Sequence, residues 1–350
     1  MGRPVLTQVD AAFRRASLRP RSPPTRFFLN LTERCQLRCV HCITHAPAKS
    51  ADGSARTMSR EVLDALTPHL RHAKYVALTH AGEPTLAPML EPLLSVLRRP
   101  VVHVVTNGMA LTERRFLELT RAGIRSWAVS LDGATQGTND ALRLGAKVLV
   151  LKERLRAFAS LRTEHALDVR LGVSCTVMRS NVHEVAAVAR LVANAKLDWF
   201  KVEETFPVNA RGEEEARVEP SVRDVAIAEA RRLCAEHGVR FVDHSHDRQV
   251  WRCQPSVMSA ADEAFSLADD FANRVLINPC RAPWEVVCVE PDGAVKPQDF
   301  HQPAVGSVLE HDLITLWNST AFQRRRAYSA SHRRCEGNAT CARDAGPRAW

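Results

Sequence analysis

The chain is short of tyrosine and of lysine. Of its 350 residues two are Tyr, and only seven of the 48 basic residues are Lys. Arginine carries most of the positive charge, and the formal net charge of +9 is dispersed among 39 acids. A nucleic-acid-binding surface concentrates its charge on one face, so this dispersal argues against nucleic acid as a partner; a mild pull on anionic small molecules remains compatible. Long apolar runs are also missing. None approaches the roughly 18 to 20 residues of a membrane span, and the first 30 residues hold charges and prolines but no apolar secretion signal. A cytoplasmic protein with no membrane partner is expected. Hydrophobic residues at 45% and charged residues at 25% exclude wholesale disorder. The length suits one large α/β domain or two ordinary ones.

Cysteine, by contrast, is plentiful. Ten stand at 35, 39, 42, 175, 234, 253, 280, 288, 335 and 341. A reducing compartment favours metal ligation or catalysis over a disulfide framework. Three are crowded at the front, and four fall between 280 and 341.

Residues 1–25 are Arg- and Pro-rich and read as an arm. From Arg26 the text alternates. Apolar runs at 26–31, 74–79, 101–106, 126–131, 169–177 and 199–203 predict strands, separated by helices near 59–72, 89–98, 112–122, 148–164 and 182–195. A last helix is expected at 221–237 and a short strand at 239–242. This rhythm predicts βα units around a parallel sheet. Six units by residue 205 are too few for an eightfold barrel and predict an open or partial one. Polar residues cap the strand ends: Thr79-His80, Thr106-Asn107, Ser130 to Asp132, Thr176 and Glu203-Glu204. In parallel α/β folds the active site lies at those ends, though a single Thr or Asn there also serves as a helix cap or turn residue. Beyond about 240 the rhythm breaks, and Asp292-Gly293 between apolar runs signals a hairpin in a smaller C-terminal module.

Cys35-x3-Cys39-x2-Cys42 puts three soft ligands on one loop after a strand, suited to zinc or an iron–sulfur cluster. Structural zinc needs a fourth ligand, and neither a fourth Cys nor a suitably spaced His pair adjoins; His41 and His45 are the local candidates. Three thiolates on a four-iron cluster would leave one iron open to a small molecule. A zinc knuckle and fortuitous cysteines stand as the alternatives.

The stretch Leu31-Thr-Glu-Arg-Cys35-Gln-Leu-Arg-Cys39-Val-His-Cys42 resembles the signature of the radical SAM superfamily, and the resemblance continues in order along the chain. His80-Ala-Gly82-Glu83-Pro84 is similar to the family's GGEP segment, with Ala81 in place of the first Gly. Thr106-Asn107-Gly108 and Ser130-Leu-Asp132-Gly133, followed by Arg143, are similar to its next strand-end motifs. The resemblance implies an α/β fold, a partial (β/α)6 TIM-like barrel over 26–243. It implies a [4Fe–4S] cluster on Cys35, Cys39 and Cys42 with S-adenosylmethionine (SAM) on the open iron. Gly82, Glu83 and Pro84 would then hold the SAM amino group, through backbone acceptors and the Glu83 carboxylate. Ser130 and Arg143 would address the ribose and the carboxylate, Thr106 and Asn107 would line the pocket, and Asp132 is placed among the cofactor-binding residues. Ala81 is harmful only where φ must be positive.

A second resemblance covers the C-terminus. Cys280 with Pro283-Trp284, then Cys288, Asp292-Gly293, Val305-Gly306, Leu316-Trp317, Arg326, Cys335 and Cys341, is similar to a SPASM or twitch module within residues 244–350. It implies one auxiliary iron–sulfur cluster on Cys280, Cys335 and Cys341. Gln298 stands where such modules usually have Cys, and the fourth ligand is left open between Cys288, Cys253, Asp299, His301 and the substrate. Cys288 also reads as a small buried hydrophobe.

Three catalytic candidates remain. Cys175, in the fifth strand, could donate hydrogen to a substrate radical or simply fill the core. Of Glu203 and Glu204, alternation turns one inward, where it could bind or deprotonate a polar substrate. His80 reads equally as a pocket or a turn residue. His244-Ser-His246 with Asp247, and the Arg324–Arg326 run, read as solvated surface. The expected activity is radical abstraction of hydrogen from a polar small molecule, sugar- or nucleoside-like. It would lead to oxidation, epimerisation or decarboxylation, with electrons from a donor such as flavodoxin or ferredoxin. Maturation of a ribosomally made peptide is the alternative; the short stretch before the first strand tilts the expectation toward the small molecule. A non-catalytic cluster- or zinc-binding protein is the alternative of another class.

Overall fold

The computed structural model describes residues 19, 20, 22–205, 209–245, 282–297, 300 and 302–331. The strands are β1 (Arg26–Leu29), β2 (Arg38–Cys39), β3 (Tyr75–Leu78), β4 (Val101–Thr106), β5 (Ile124–Ser130) and β6 (Arg143–Leu144). They continue with β7 (Arg170–Val177), β8 (Trp199–Glu204), β9 (Arg240–His244), β10 (Val286–Val289) and β11 (Val295–Pro297). Nine of them form one sheet in the order β11-β10-β1-β3-β4-β5-β7-β8-β9. Every neighbour pair is parallel except β10–β11. β1, β3, β4, β5, β7 and β8 are the six strands of the expected partial barrel.

Local signals place the crossover helices. Ser59 accepts from Val62 N at the start of the helix Arg60–Leu70, Thr112 from Arg115 N at the start of Glu113–Ala122, and Thr135 from Thr138 N at the start of Gln136–Leu142. Such caps satisfy amides that a first turn leaves orphaned. The helices cover one face of the sheet, where Val76, Leu78, Val104, Trp127, Leu171, Val173, Phe200 and Val202 join a single apolar core with Phe116, Phe158 and Val188. Side chains alternate along a strand, so Gly172, Ser174, Trp199, Lys201 and Glu203 share the opposite face. Gly172 is required there: a Cβ would stand 2.1 Å from the Trp199 indole.

The C-terminal hairpin forms as expected, turning at Gly293 with φ +82°. It does not stand apart. β10 pairs in parallel with β1, in register Arg26↔Val286 to Leu29↔Val289, so the smaller module extends the barrel sheet. The hairpin residues Val287, Val289 and Val295 join the common core. Among the described residues no helix is long and apolar enough to cross a membrane. The Arg324–Arg326 run corrects the expectation of a solvated face. In the helix Thr320–Ser331 Arg325 and Arg326 are buried. Arg326 donates to the carbonyls of Pro283 (2.9 Å) and Trp317 (2.8 Å) and lies 4.3 Å over the Trp317 ring. Burial pulls the Arg326 guanidinium down to about 10.

Candidate functional site

The loop after β1 carries Cys35, Cys39 and Cys42, all half-buried and none in a disulfide. Its entrance is anchored at Glu33. That carboxylate accepts from Lys49 Nζ (2.6 Å), Arg56 Nη2 (2.8 Å), Arg56 Nε (3.0 Å) and Arg56 N (3.0 Å). Burial opposes its ionisation, but the Arg56 and Lys49 bonds win and hold it down at about 2. The Cys35 amide donates to Ser50 Oγ at 3.0 Å. Cys39 pairs with Arg143 across the two-stranded β2–β6 ribbon.

The three thiols lie within electrostatic reach of one another. Burial pushes Cys39 up to about 11; Arg143 opposes the shift, while Asp132, Cys35 and Cys42 add to it. Burial raises Cys35 as well, with Glu83 and Cys42 adding. Around one zinc at about 2.3 Å, thiolates sit within about 4 Å of each other. Among the described residues no group of three His, Cys, Asp or Glu is placed to hold a metal ion directly. Three thiolates on one loop are the donor set that an iron–sulfur cluster takes. Two of them also have N–H donors aimed at the sulfur, Asn107 Nδ2 at 3.6 Å from Cys35 and Arg143 Nη1 at 3.8 Å from Cys39. Donors to ligand sulfur are what tune such clusters.

Gly82 closes over this loop. Its φ is +62°, and a Cβ would stand 2.2 Å from the Thr32 carbonyl oxygen and 2.7 Å from that of Arg34. Ala81 is not among the residues of positive φ, so replacing that glycine introduces no backbone strain. Glu83 differs from expectation. Its carboxylate is fully buried and accepts from Thr85 N (3.1 Å), Thr85 Oγ1, Thr106 Oγ1 and Asn107 N (each 2.7 Å). It therefore ties the turn to the end of β4, and Thr106 is engaged in the same tie. Acceptors for an ammonium group near this turn are left to the backbone. Asn107 turns the other way, toward Cys35 and Gln36.

Asp132 also needs correction. It has no exposed surface and so cannot touch a cofactor directly. Its Oδ2 lies 2.6 Å from Arg143 Nε and 3.3 Å from His41 Nε2. Asp132 thereby raises the affinity of Arg143 for its proton against the cost of burial. Burial dominates at His41 and pulls it down to about 4. Its Nδ1 is buried and finds no partner among the described residues. Ser130 ends β5 beside this group and is nearly buried.

Cys175 belongs to the helix-covered face with Val173 and Val177. The adjacent Ser174 points oppositely, its Oγ donating to Glu203 Oε2 at 3.1 Å. Alternation thus turns Cys175 away from the face that carries Glu203, and it reads as a core residue rather than a hydrogen donor. Glu203 is the inward carboxylate of its pair. Lys201, which the motif reading missed, lies 2.8 Å from Glu203 Oε1 with only 6% of its side chain exposed, against 36% for Glu203. The period-two run Trp199-Phe-Lys-Val-Glu203 carried that signal. Glu204 follows one residue out of phase. His80 stacks on Phe300 with ring centroids 4.2 Å apart, so the C-terminal module reaches the strand ends at β3. Cys288 is buried in β10, between Phe28 and Lys296 in register. Cys253, Cys280, Cys335, Cys341, Gln298, Asp299, His301, His246 and Asp247 lie outside the described residues.

The radical SAM superfamily profile matches residues 29–201, and that of the SPASM iron–sulfur cluster-binding domain matches 280–343. An Fe-coproporphyrin III synthase of Methanosarcina barkeri is 29% identical over 170 residues, 48% of this chain and 41% of that protein. A PqqA peptide cyclase of Streptomyces rochei is 26% identical over 184 residues, 52% of this chain and 48% of that protein. The matches therefore span less than half the length of these relatives. Streptococcus suis SuiB, solved bound to precursor peptide SuiA, superposes with a TM-score of 0.61 at 15% identity, covering 93% of this chain and 72% of that one. At that identity the likeness is one of fold.

Proposed function

We propose that this chain, which belongs to the radical SAM superfamily and carries a C-terminal SPASM iron–sulfur domain, is an enzyme that takes hydrogen from a peptide substrate. The carrying observation is the loop of Cys35, Cys39 and Cys42, enclosed by the strand-end residues Gly82, Asn107 and Arg143. A [4Fe–4S] cluster there, with SAM bound, supplies one-electron cleavage of a sulfonium and a carbon radical able to take hydrogen from an unactivated C–H bond. The chain's own residues bind and orient. The three thiolates would hold the cluster, while Asn107 and Arg143 donate to two of the sulfurs. Backbone acceptors around Gly82 suit the SAM ammonium, and the outer guanidinium N–H groups of Arg143 suit a carboxylate. Glu203, held by Lys201 and Ser174, would be a polar contact for the substrate. His80 and Phe300 stack where the C-terminal module meets the end of β3, a contact that would help exclude water.

The peptide reading draws on the relation to PqqA peptide cyclase and departs from the small molecule expected from sequence. A second reading, a tetrapyrrole-type small molecule, draws on the Fe-coproporphyrin III synthase, which is 29% identical against 26% for the peptide cyclase. A flavodoxin- or ferredoxin-like donor would supply the electron, and Cys280, Cys335 and Cys341 would hold an auxiliary cluster. Anaerobic reconstitution with iron, sulfide, SAM and dithionite tests the core of this reading. The wild type should release 5′-deoxyadenosine, and the Cys35→Ala, Cys39→Ala, Cys42→Ala variant should not. Equal release from both would refute the assignment. Deuterium transfer into that product from labelled peptides, set against labelled tetrapyrroles, separates the two substrates.

A further inference from the structure

One buried carboxylate joins the metal loop to the strand ends. Asp132 is held at its own backbone: its N–H donates to Asn139 Oδ1 at 3.0 Å, and its carbonyl accepts from Asn181 Nδ2 at 2.8 Å. Its Oδ1 takes the Thr176 amide, at the end of β7, at 2.8 Å. With backbone and one oxygen fixed, the second oxygen is a rigid post. Arg143 Nε and His41 Nε2 both face it, at 2.6 and 3.3 Å. Both belong to the metal loop's surroundings. His41 lies between Cys39 and Cys42 in sequence, and Arg143 is the ribbon partner of Cys39, with Nη1 3.8 Å from its sulfur.

A flexible arginine and an imidazole lose rotamer freedom when pinned. That cost is offset here by the attraction of opposite charges 2.6 Å apart and away from water, although neither Asp132 Oδ2 nor Arg143 Nε is aligned for a hydrogen bond. The arrangement also divides the guanidinium: Nε is turned back to Asp132, while Nη1 is turned toward the cluster side. His41 Nε2 is the ring nitrogen that faces the carboxylate, at 3.3 Å.

We propose that Asp132 is a positioning residue of the SAM pocket, acting through Arg143 and His41 rather than by contact with the cofactor. It sets which nitrogens these two side chains present beside Cys39. The proposal rests on the reading of the front loop as a cluster and SAM site. Without the carboxylate, Arg143 is left buried and uncompensated and turns away from Cys39, and His41 loses the contact that fixes its ring.

The test uses the full chain, purified and reconstituted anaerobically, with SAM as the probe. In Asp132→Asn the acceptor for the Thr176 amide is kept, but an NH2 group meets the Arg143 and His41 donors. The expected result is wild-type iron content, a SAM dissociation constant raised about 10- to 100-fold, the usual range for groups that orient metal ligands, and a changed EPR spectrum of the reduced, SAM-bound cluster. Wild-type affinity with a wild-type spectrum overturns the proposal. Should that variant fail to fold, His41→Gln and His41→Ala carry the test. Gln can still present an N–H to Asp132 and Ala cannot, so Gln should bind SAM more tightly than Ala by at least about threefold; equal affinities overturn the proposal. A wild-type protein that binds iron but no SAM refutes the front-site reading itself. Normal SAM binding in both the wild type and the variants removes only the positioning role.

Discussion

Gly82→Ala is the sharpest single probe of the site. The residue sits at φ +62°, where a Cβ costs about 1–2 kcal/mol. The added carbon would also meet Thr32 O at 2.2 Å, Arg34 O at 2.7 Å and Glu33 C at 2.9 Å. These are backbone atoms, which cannot rotate away as a side chain would, and overpacking of that kind costs about 1–3 kcal/mol more. The sum, about 2–5 kcal/mol, is a large share of the about 5–15 kcal/mol that keeps a domain folded. Relief can come only by moving the segment 32–34, which leads directly into Cys35. Two effects are therefore coupled: a lower denaturation midpoint for the apoprotein, and reduced iron loading with loss of 5′-deoxyadenosine after reconstitution. Ala81→Gly is the control. Residue 81 needs no positive φ, so that change should cost less than about 1 kcal/mol. A Gly82→Ala protein within about 0.5 kcal/mol of the wild type, fully loaded with iron, would show that the close approach of turn and metal loop is wrong.

Glu33→Gln should flatten the acid limb of stability. The Glu33 carboxylate falls from 4.5 to about 2 on folding, so its contribution is complete above about pH 4.5 and is lost as pH falls toward 2; denaturation midpoints at pH 3 and pH 7 should differ less in the variant than in the wild type. Cys175→Ala should cost about 1 kcal/mol and leave substrate-dependent hydrogen transfer intact; a folded variant that has lost transfer would return the thiol to the chemistry. Arg326→Met strands the carbonyls of Pro283 and Trp317 and should lower stability by about 2–3 kcal/mol in thermal melts, whereas a solvated arginine would change it by less than about 0.5 kcal/mol.

The parallel sheet was legible because βα rhythm is a local property of the chain. Each apolar run was short, some helices carried a cap such as Ser59 or Thr112, and the polar tips fell where parallel strands end. The loop of Cys35, Cys39 and Cys42 stood out because a spacing within eight residues is also local. What the motifs did not convey was direction. Glu83, Thr106 and Asp132 stand in binding motifs, yet each turns its side chain into the protein, where it braces the groups that face the pocket. Arg326 has the look of a surface residue in a basic run, and only the packing of Trp317 and Phe322 around it shows it to be buried. Period two did predict that Glu203 and Glu204 diverge. Applied to Gly172-Val-Ser-Cys175, the same rule separates Ser174 from Cys175.

The C-terminal hairpin bears on the front site through β1. Four parallel register pairs join β10 to β1, and the loop that follows β1 begins five residues before Cys35. Two charged contacts then reinforce that edge. Glu290 accepts from Asn30 Nδ2 at 2.9 Å and from Lys296 Nζ at 2.7 Å, and Arg56 reaches from Glu33 to Asp292. The Arg56–Asp292 contact is half-exposed and adds little stability alone. Its partner is already fixed, however, because Glu33 holds Arg56 through Nε, Nη2 and the backbone amide. An arginine pre-ordered in this way transmits orientation even where it supplies little energy. The entrance to the metal loop is therefore gripped from three sides: by β10 through β1, by the hairpin turn through Arg56, and by the close approach of Gly82. The C-terminal module is thus no independent appendage but part of the mounting for Cys35.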